Sequence, residues 1–252
     1  MNSRRIVCFV ISMLMSTVGH AQTLRLGVAA NFAEPLKEIS KRYQQQTGIT
    51  TTLTVGASGT LYAQIQHGAQ LDVFLSADSE RPQALVESGR VGSDDVMTYA
   101  IGRLAYLDRD VRAPGIHDLQ TYALAPGTRL AIANPRLAPY GRAAKEALHT
   151  LTLWPNLATR LVTGKNVQQA YQFYATGNVD RALVAYSQVY HLKKHVHLID
   201  ASLHQPIQQQ LAITAPQDNR AAARQFVAFL LSDETQQWLA QRGYQPVGDE
   251  YQ

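Results

Sequence analysis

The sequence predicts an α/β protein, and three features carry that expectation. Short apolar or β-branched runs alternate with stretches whose apolar residues recur every three to four positions. At four places a strand-like run passes through a loop of small or neutral residues directly into a helical pattern. The 252 residues, 46% hydrophobic and 17% charged, are ordinary for a globular chain, and the length allows one large domain or two of modest size.

Residues 1–21 are expected to lie outside that fold. Arg4 and Arg5 precede the apolar run Ile6 to Met15, and Gly19 and Ala21 put small residues at −3 and −1 of a cleavage position. This is the pattern of a secretory signal peptide, and the run is well short of the ~20 residues of a spanning helix. Removing 21 of 252 residues leaves 231, takes the net charge from +4 to +2 and removes Cys8, the single cysteine. A mature chain without cysteine is neither a thiol enzyme nor a disulfide scaffold. So small a charge, without a long basic run, argues against nucleic acid as a partner.

The elements then follow in order. Leu24 to Ala30 reads as a strand, and Asn31 as the N-cap of a helix with Glu34 and Pro35 in its first turn and Leu36, Ile39 and Tyr43 on one face. Thr51 to Val55 is a β-branched strand; Gly56-Ala57-Ser58-Gly59 turns into a helix carrying Leu61 and Ile65. Val73 to Leu75 is a short buried strand, and Arg81 to Ser88 a helix closed by Gly89. Ala100 to Leu107 reads as one strand and Leu130 to Ala133 as another, the latter leading through Pro135 and Pro139 to a helix over Gly141 to Thr150. Arg160 to Val162 is a strand, after which Asn166 caps a helix with Val167, Ala170, Tyr171 and Tyr174 on its face. Ala182 to Tyr186 and His195 to Ile199 are strands. Gln210 to Thr214 is expected to return to the first sheet, before helices over Asn219 to Leu231 and Asp233 to Gln241.

The four strand–loop–helix junctions carry the chemistry. They are Ala29-Ala30-Asn31-Phe32, Gly56-Ala57-Ser58-Gly59-Thr60, Ala138-Pro139-Tyr140-Gly141 and Gly164-Lys165-Asn166-Val167. Ligands of open α/β sheets bind beyond the carboxyl ends of the strands, and helix first turns offer free N–H groups with the positive end of the dipole. Several such ends converging on one point would form an anion site. No Asp or Glu occurs in the four loops. A monoprotonated phosphate benefits from an acceptor for its proton, whereas a fully deprotonated tetrahedral dianion needs donors only. A carboxylate brought in from Asp72 or Asp78 would weaken that preference.

These residues resemble those of the periplasmic molybdate-binding proteins that feed molybdate ABC transporters. The likeness spans essentially the whole mature chain and rests on Val28 to Phe32, Gly56 to Leu61, Asp72-Val73-Phe74-Leu75-Ser76-Ala77-Asp78, Arg129 to Pro135, Pro139-Tyr140-Gly141 and Asn166-Val167. It implies a type II periplasmic binding protein: two lobes, each a mixed sheet flanked by helices, joined by a two-stranded hinge with the ligand cleft between them. The lobes are expected over 22–101 with 206–252, and over 102–205. By the same likeness, Asn31 and Ser58 would donate backbone and side-chain hydrogen bonds, Tyr140 and Val167 backbone N–H groups, and Tyr186 its hydroxyl. Many family members carry serine in place of Asn31 and alanine in place of Tyr140. The resemblance further implies a periplasmic monomer that binds molybdate and also tungstate. It would deliver the anion to a membrane permease powered by an ATPase, without enzymatic activity or cofactor.

Three rival readings are open at this level. The first keeps the fold and binds sulfate or a broader range of oxyanions. The second is a metal site at His191, His195 and His197; the adjacent Lys193 and Lys194 make a solvated edge the expected outcome there, with no direct metal-cation ligands. The third is a hydrolase, against which no Gly-x-Ser-x-Gly elbow is present.

Overall fold

The computed structural model describes residues 22–109, 127 and 129–247, with 193–195 described by backbone alone. The leader expected over 1–21 lies outside the described residues. Two five-stranded sheets form the frame. The first holds β1 (Thr23–Ala29), β2 (Thr50–Gly56), β3 (Val73–Leu75), β4 (Val96–Gly102) and β10 (Ile207–Ile213), in the order β2-β1-β3-β10-β4. The second holds β5 (Leu104–Asp108), β6 (Leu130–Ala133), β7 (Leu161–Gly164), β8 (Arg181–Ala185) and β9 (Val196–Leu198), in the order β7-β6-β8-β5-β9.

The two sheets share one plan. Three parallel strands on one side continue into antiparallel strands on the other, with β10 antiparallel to β3 and β4, and β5 antiparallel to β8 and β9. Among the described residues the α-helices are α1 (Ala33–Thr47), α2 (Ser58–Gln66), α3 (Glu80–Glu87), α4 (Pro139–Thr150), α5 (Trp154–Leu157), α6 (Val167–Ala175), α7 (Tyr186–Val189), α8 (Gln217–Leu230) and α9 (Asp233–Ala240). None is long and apolar enough to cross a membrane. Helix α1 buries Leu36, Ile39 and Tyr43 and ends where Gly48 adopts φ 75°, the left-handed conformation that glycine takes without penalty.

Parallel strands covered on both faces need apolar residues throughout, and β3 and β6 are buried at every position. Leu24, Leu26 and Val28 pack with Leu36, Phe226 and Leu230 in the first lobe. Leu130, Ile132, Leu148, Ala170 and Leu183 form the core of the second. That second cluster also contains Ala29, Ala30, Ala57 and Ala77 from the first lobe, so the lobes meet in apolar contact.

Two expectations are corrected. The run Ala100 to Leu107 is not one strand: β4 ends at Gly102, β5 begins at Leu104, and they belong to different sheets. Arg103 is the crossing residue, its carbonyl accepting from the Tyr186 N–H at 2.9 Å. Its neighbour Gly102 has no room for a side chain, because a Cβ there would stand 2.3 Å from the Tyr140 hydroxyl. The second correction is that Asn31 does not cap α1. Phe32 holds the cap position, and the Asn31 side chain is turned instead toward Gln209 on β10. Asn166 does cap α6, accepting from the Gln169 N–H at 2.9 Å, while Gln169 reaches back to the Lys165 N–H at 2.7 Å.

Candidate functional site

The junctions at the carboxyl ends of β1, β2, β6 and β7 converge. Ala29, Ala30, Asn31, Ala57, Ser58, Ala77, Ala138, Pro139, Tyr140, Asn166 and Val167 surround one small cavity. Four of the five residues expected at the site, Asn31, Ser58, Tyr140 and Val167, are therefore brought together. The fifth, Tyr186, is not among the lining residues; it opens α7 with its ring 5.1 Å from the Arg103 guanidinium.

Each wall has its own construction. Ser58, Tyr140 and Val167 stand in the first turns of α2, α4 and α6, where backbone N–H groups have no intrahelical acceptor. The Ser58 Oγ accepts from the Ala77 N–H at 2.9 Å. Its own hydrogen is thereby left for another acceptor, which makes the hydroxyl a donor. Asn31 is 3% exposed, with its Nδ2 donating to Gln209 Oε1 at 2.8 Å. The Asn31 carbonyl accepts from the Tyr244 hydroxyl at 3.1 Å. Burial pushes the Tyr99 and Tyr140 hydroxyls well above the usual phenol range, so both keep their hydrogens at neutral pH.

Among the described residues no charged side chain lines the cavity. Asp72 and Asp78 are both engaged elsewhere. Asp72 accepts from the Arg25 backbone at 2.7 Å, from the Arg25 guanidinium and from Asn219. Burial raises the pKa of the Asp72 carboxyl, but these hydrogen bonds outweigh it and hold the group below its ordinary value. Asp78 accepts from the Ser76 hydroxyl at 2.9 Å and pairs with Arg81. Helix N-termini and the Ser58 hydroxyl, with the carboxylates turned away, favour an anion without a proton.

The lobes touch beside the cavity. The Gly59 N–H donates to the Leu137 carbonyl at 2.9 Å, and Arg142 pairs with Glu80 across the cleft. The hydrogen bond from Arg142 holds the Glu80 carboxyl below its ordinary pKa.

The histidines are placed apart from this site. The His191 ring packs 5.7 Å from that of Tyr190, and His197 lies 6.2 Å from Tyr106. The His195 side chain lies outside the described residues. Among the described residues no group of three or more His, Cys, Asp or Glu is placed to hold a metal ion.

One residue of the site's surroundings escaped the sequence reading. Gln209 is completely buried on β10, between Asn31 and Tyr99. The pleat offers a signal for it. Along Ile207 to Leu211 alternate residues point inward, so Gln209 is a polar residue at a core position.

Two α/β lobes closed on a cavity of neutral donors and helix N-termini define a solute-binding protein. Residues 24–245 match the bacterial extracellular solute-binding protein family, and the chain belongs to it. It is 38% identical to the molybdate-binding protein ModA of Rhodobacter capsulatus over 86% of each chain. It is 34% identical to ModA of Azotobacter vinelandii over 92% of this chain and 93% of that one. The solved periplasmic molybdate-binding protein of Azotobacter vinelandii matches with a TM-score of 0.82 and 31% identity, covering 89% of this chain and 100% of the other.

Proposed function

We propose that this protein binds molybdate, with tungstate as a second ligand, in the cavity between its lobes and delivers it in the periplasm to an ABC importer. The lobes of the reading are 22–101 with 206–252, and 102–205. Asn31 and Ser58 would supply side-chain and backbone donors, and Tyr140 and Val167 backbone N–H groups. Tyr186 is retained as a contact of the fully closed, liganded form. The protein would act as a monomer, perform no chemistry and need no cofactor, and its partner would be a permease with its ATPase.

The observation that carries this reading is the convergence of four strand–helix junctions on one cavity with no charged side chain among its described lining residues. A hydrogen bond to a charged partner contributes roughly 1.5–3 kcal/mol, so several neutral donors can offset the desolvation of a dianion. Closure strengthens each of them by excluding water. The likeness to the molybdate-binding proteins of two bacteria adds independent support.

Calorimetric titration with molybdate, tungstate, sulfate and phosphate tests the proposal. Tight molybdate and tungstate binding is expected. Tight sulfate or phosphate binding with weak molybdate binding would overturn the ligand assignment.

A further inference from the structure

Behind the cavity lies a buried chain of polar groups whose hydrogen bonds do not balance as they stand. Asn31 Nδ2 donates to Gln209 Oε1 at 2.8 Å. The Tyr99 hydroxyl lies 3.1 Å from that same Oε1 and 2.9 Å from the Ser76 carbonyl. It has one hydrogen and faces two acceptors. Meanwhile Asn31 Oδ1, Gln209 Nε2 and the Tyr140 hydroxyl are buried without a partner in hydrogen-bonding geometry.

The two ends of a carboxamide have the same shape, and only their hydrogen bonds tell them apart. Turning both amides over relieves the conflict at Tyr99 without moving a heavy-atom position. Gln209 Nε2 then donates to Asn31 Oδ1 and to the Tyr99 oxygen, and Tyr99 donates its single hydrogen to the Ser76 carbonyl. Gln209 Oε1 takes the place of its nitrogen beside Gly102, where a Cβ would stand 3.0 Å from that Gln209 atom and 2.3 Å from the Tyr140 oxygen. Asn31 Nδ2 becomes the free end of the chain, on a residue that lines the cavity.

We propose that Gln209 is a specificity-determining residue of the anion site: it holds the Asn31 amide with its NH2 group, and not its carbonyl, toward the bound oxyanion. The inference rests on the proposed placement of Asn31 at that site. With the NH2 group inward, the wall offers donors alone and favours dianions without a proton. With the carbonyl inward, the same wall would repel molybdate and accept the proton of hydrogen phosphate. The backbone is built to hold Gln209 there: the β4–β10 register shifts between Gln209 and Gln210, leaving Tyr99 as the extra residue. Such a bulge re-aims side chains, and here the Tyr99 hydroxyl meets Gln209.

The test compares the unaltered protein with Asn31→Ala, Gln209→Met and Gln209→Glu at pH 8, by titration with molybdate and by competition with phosphate. Thermal melting identifies the folded variants. Asn31→Ala and Gln209→Met are each expected to weaken molybdate binding at least tenfold. Gln209→Glu presents an acceptor-only group of the same shape, which draws the Asn31 NH2 to itself. It is expected to lower the molybdate-to-phosphate preference at least tenfold, because both anions are divalent and feel the added charge alike. Gln209→Met within twofold of the unaltered protein, with Asn31→Ala at least tenfold weaker, would overturn the role of Gln209 alone. An unchanged affinity in Asn31→Ala would overturn the site placement beneath it. If the Gln209 variants do not fold, nitrogen-15 spectra of the unaltered protein decide. The side-chain NH2 signal that disappears in Asn31→Ser should move on adding molybdate, and a signal that stays in place rejects the proposal.

Discussion

The two walls of the cavity are built differently. The first-lobe wall presents side chains, Asn31 and Ser58, each fixed from behind by a further hydrogen bond. The second-lobe wall presents backbone at the starts of α4 and α6, with the apolar side chains of Pro139 and Val167 around it. A side-chain donor can be removed by one substitution. A backbone donor can only be displaced. On the proposed function, the first wall would therefore choose the anion chemistry, and the second would complete closure.

Substitutions that respect or violate this division should differ in size. The largest effect is expected from Gly141→Ala, where a Cβ would meet the Ala133 carbonyl oxygen at 2.3 Å. The clash is with backbone, so α4 must shift and carry its N-terminus off the site. Overpacking of this kind costs about 1–3 kcal/mol of stability, and molybdate affinity should fall about a hundredfold, or about 2.8 kcal/mol. Melting and titration together check this; unchanged affinity would show that the second wall does not depend on the position of α4.

Ser58→Ala comes next. It removes one donor and leaves the Ala77 N–H without its acceptor, and affinity should fall at least about tenfold, or 1.4 kcal/mol, with the fold intact. An affinity like that of the unaltered protein would exclude the hydroxyl from the site.

Arg142→Ala removes the pair with Glu80 that ties the lobes. Exposed pairs contribute about 0.2–1 kcal/mol, so a loss of up to about fivefold is expected. The pair also sets a pH dependence. The Glu80 carboxyl is depressed when paired, so its contribution is complete above the ordinary carboxylate pKa of about 4.3 and is lost as pH falls through the lowered value. Acidification should thus narrow the affinity gap between the unaltered protein and Glu80→Gln. The protonation of molybdate itself is common to both and cancels in the comparison.

Val167→Ala should have the smallest effect, within about twofold, because the N–H belongs to the backbone and survives. A loss as large as that of Ser58→Ala would erase the distinction between the walls.

The sequence exposed these regions unequally. Ser58, Tyr140 and Val167 were legible because strand–helix junctions are written in local turn and cap chemistry. Asn31 was legible as a site candidate, although the cap role also read for it belongs to Phe32. Gln209 was hidden among Gln208, Gln209 and Gln210, which differ only in the direction the pleat gives them. The apolar run from Ala100 to Leu107 looked continuous because the sheets that claim its two halves are assembled from distant segments.

By itself, the sequence determined the alternation of strands and helices, the small neutral loops between them and the lack of carboxylates in those loops. These are properties of neighbouring residues, set by periodicity, turn geometry and the free N–H groups of helix starts. Only the tertiary structure decided which loops share a cavity and where the chain crosses between sheets. It also decided that a glutamine 178 residues from Asn31 lies against that residue's amide. Those outcomes depend on packing between segments far apart in the chain, for which local composition holds no record.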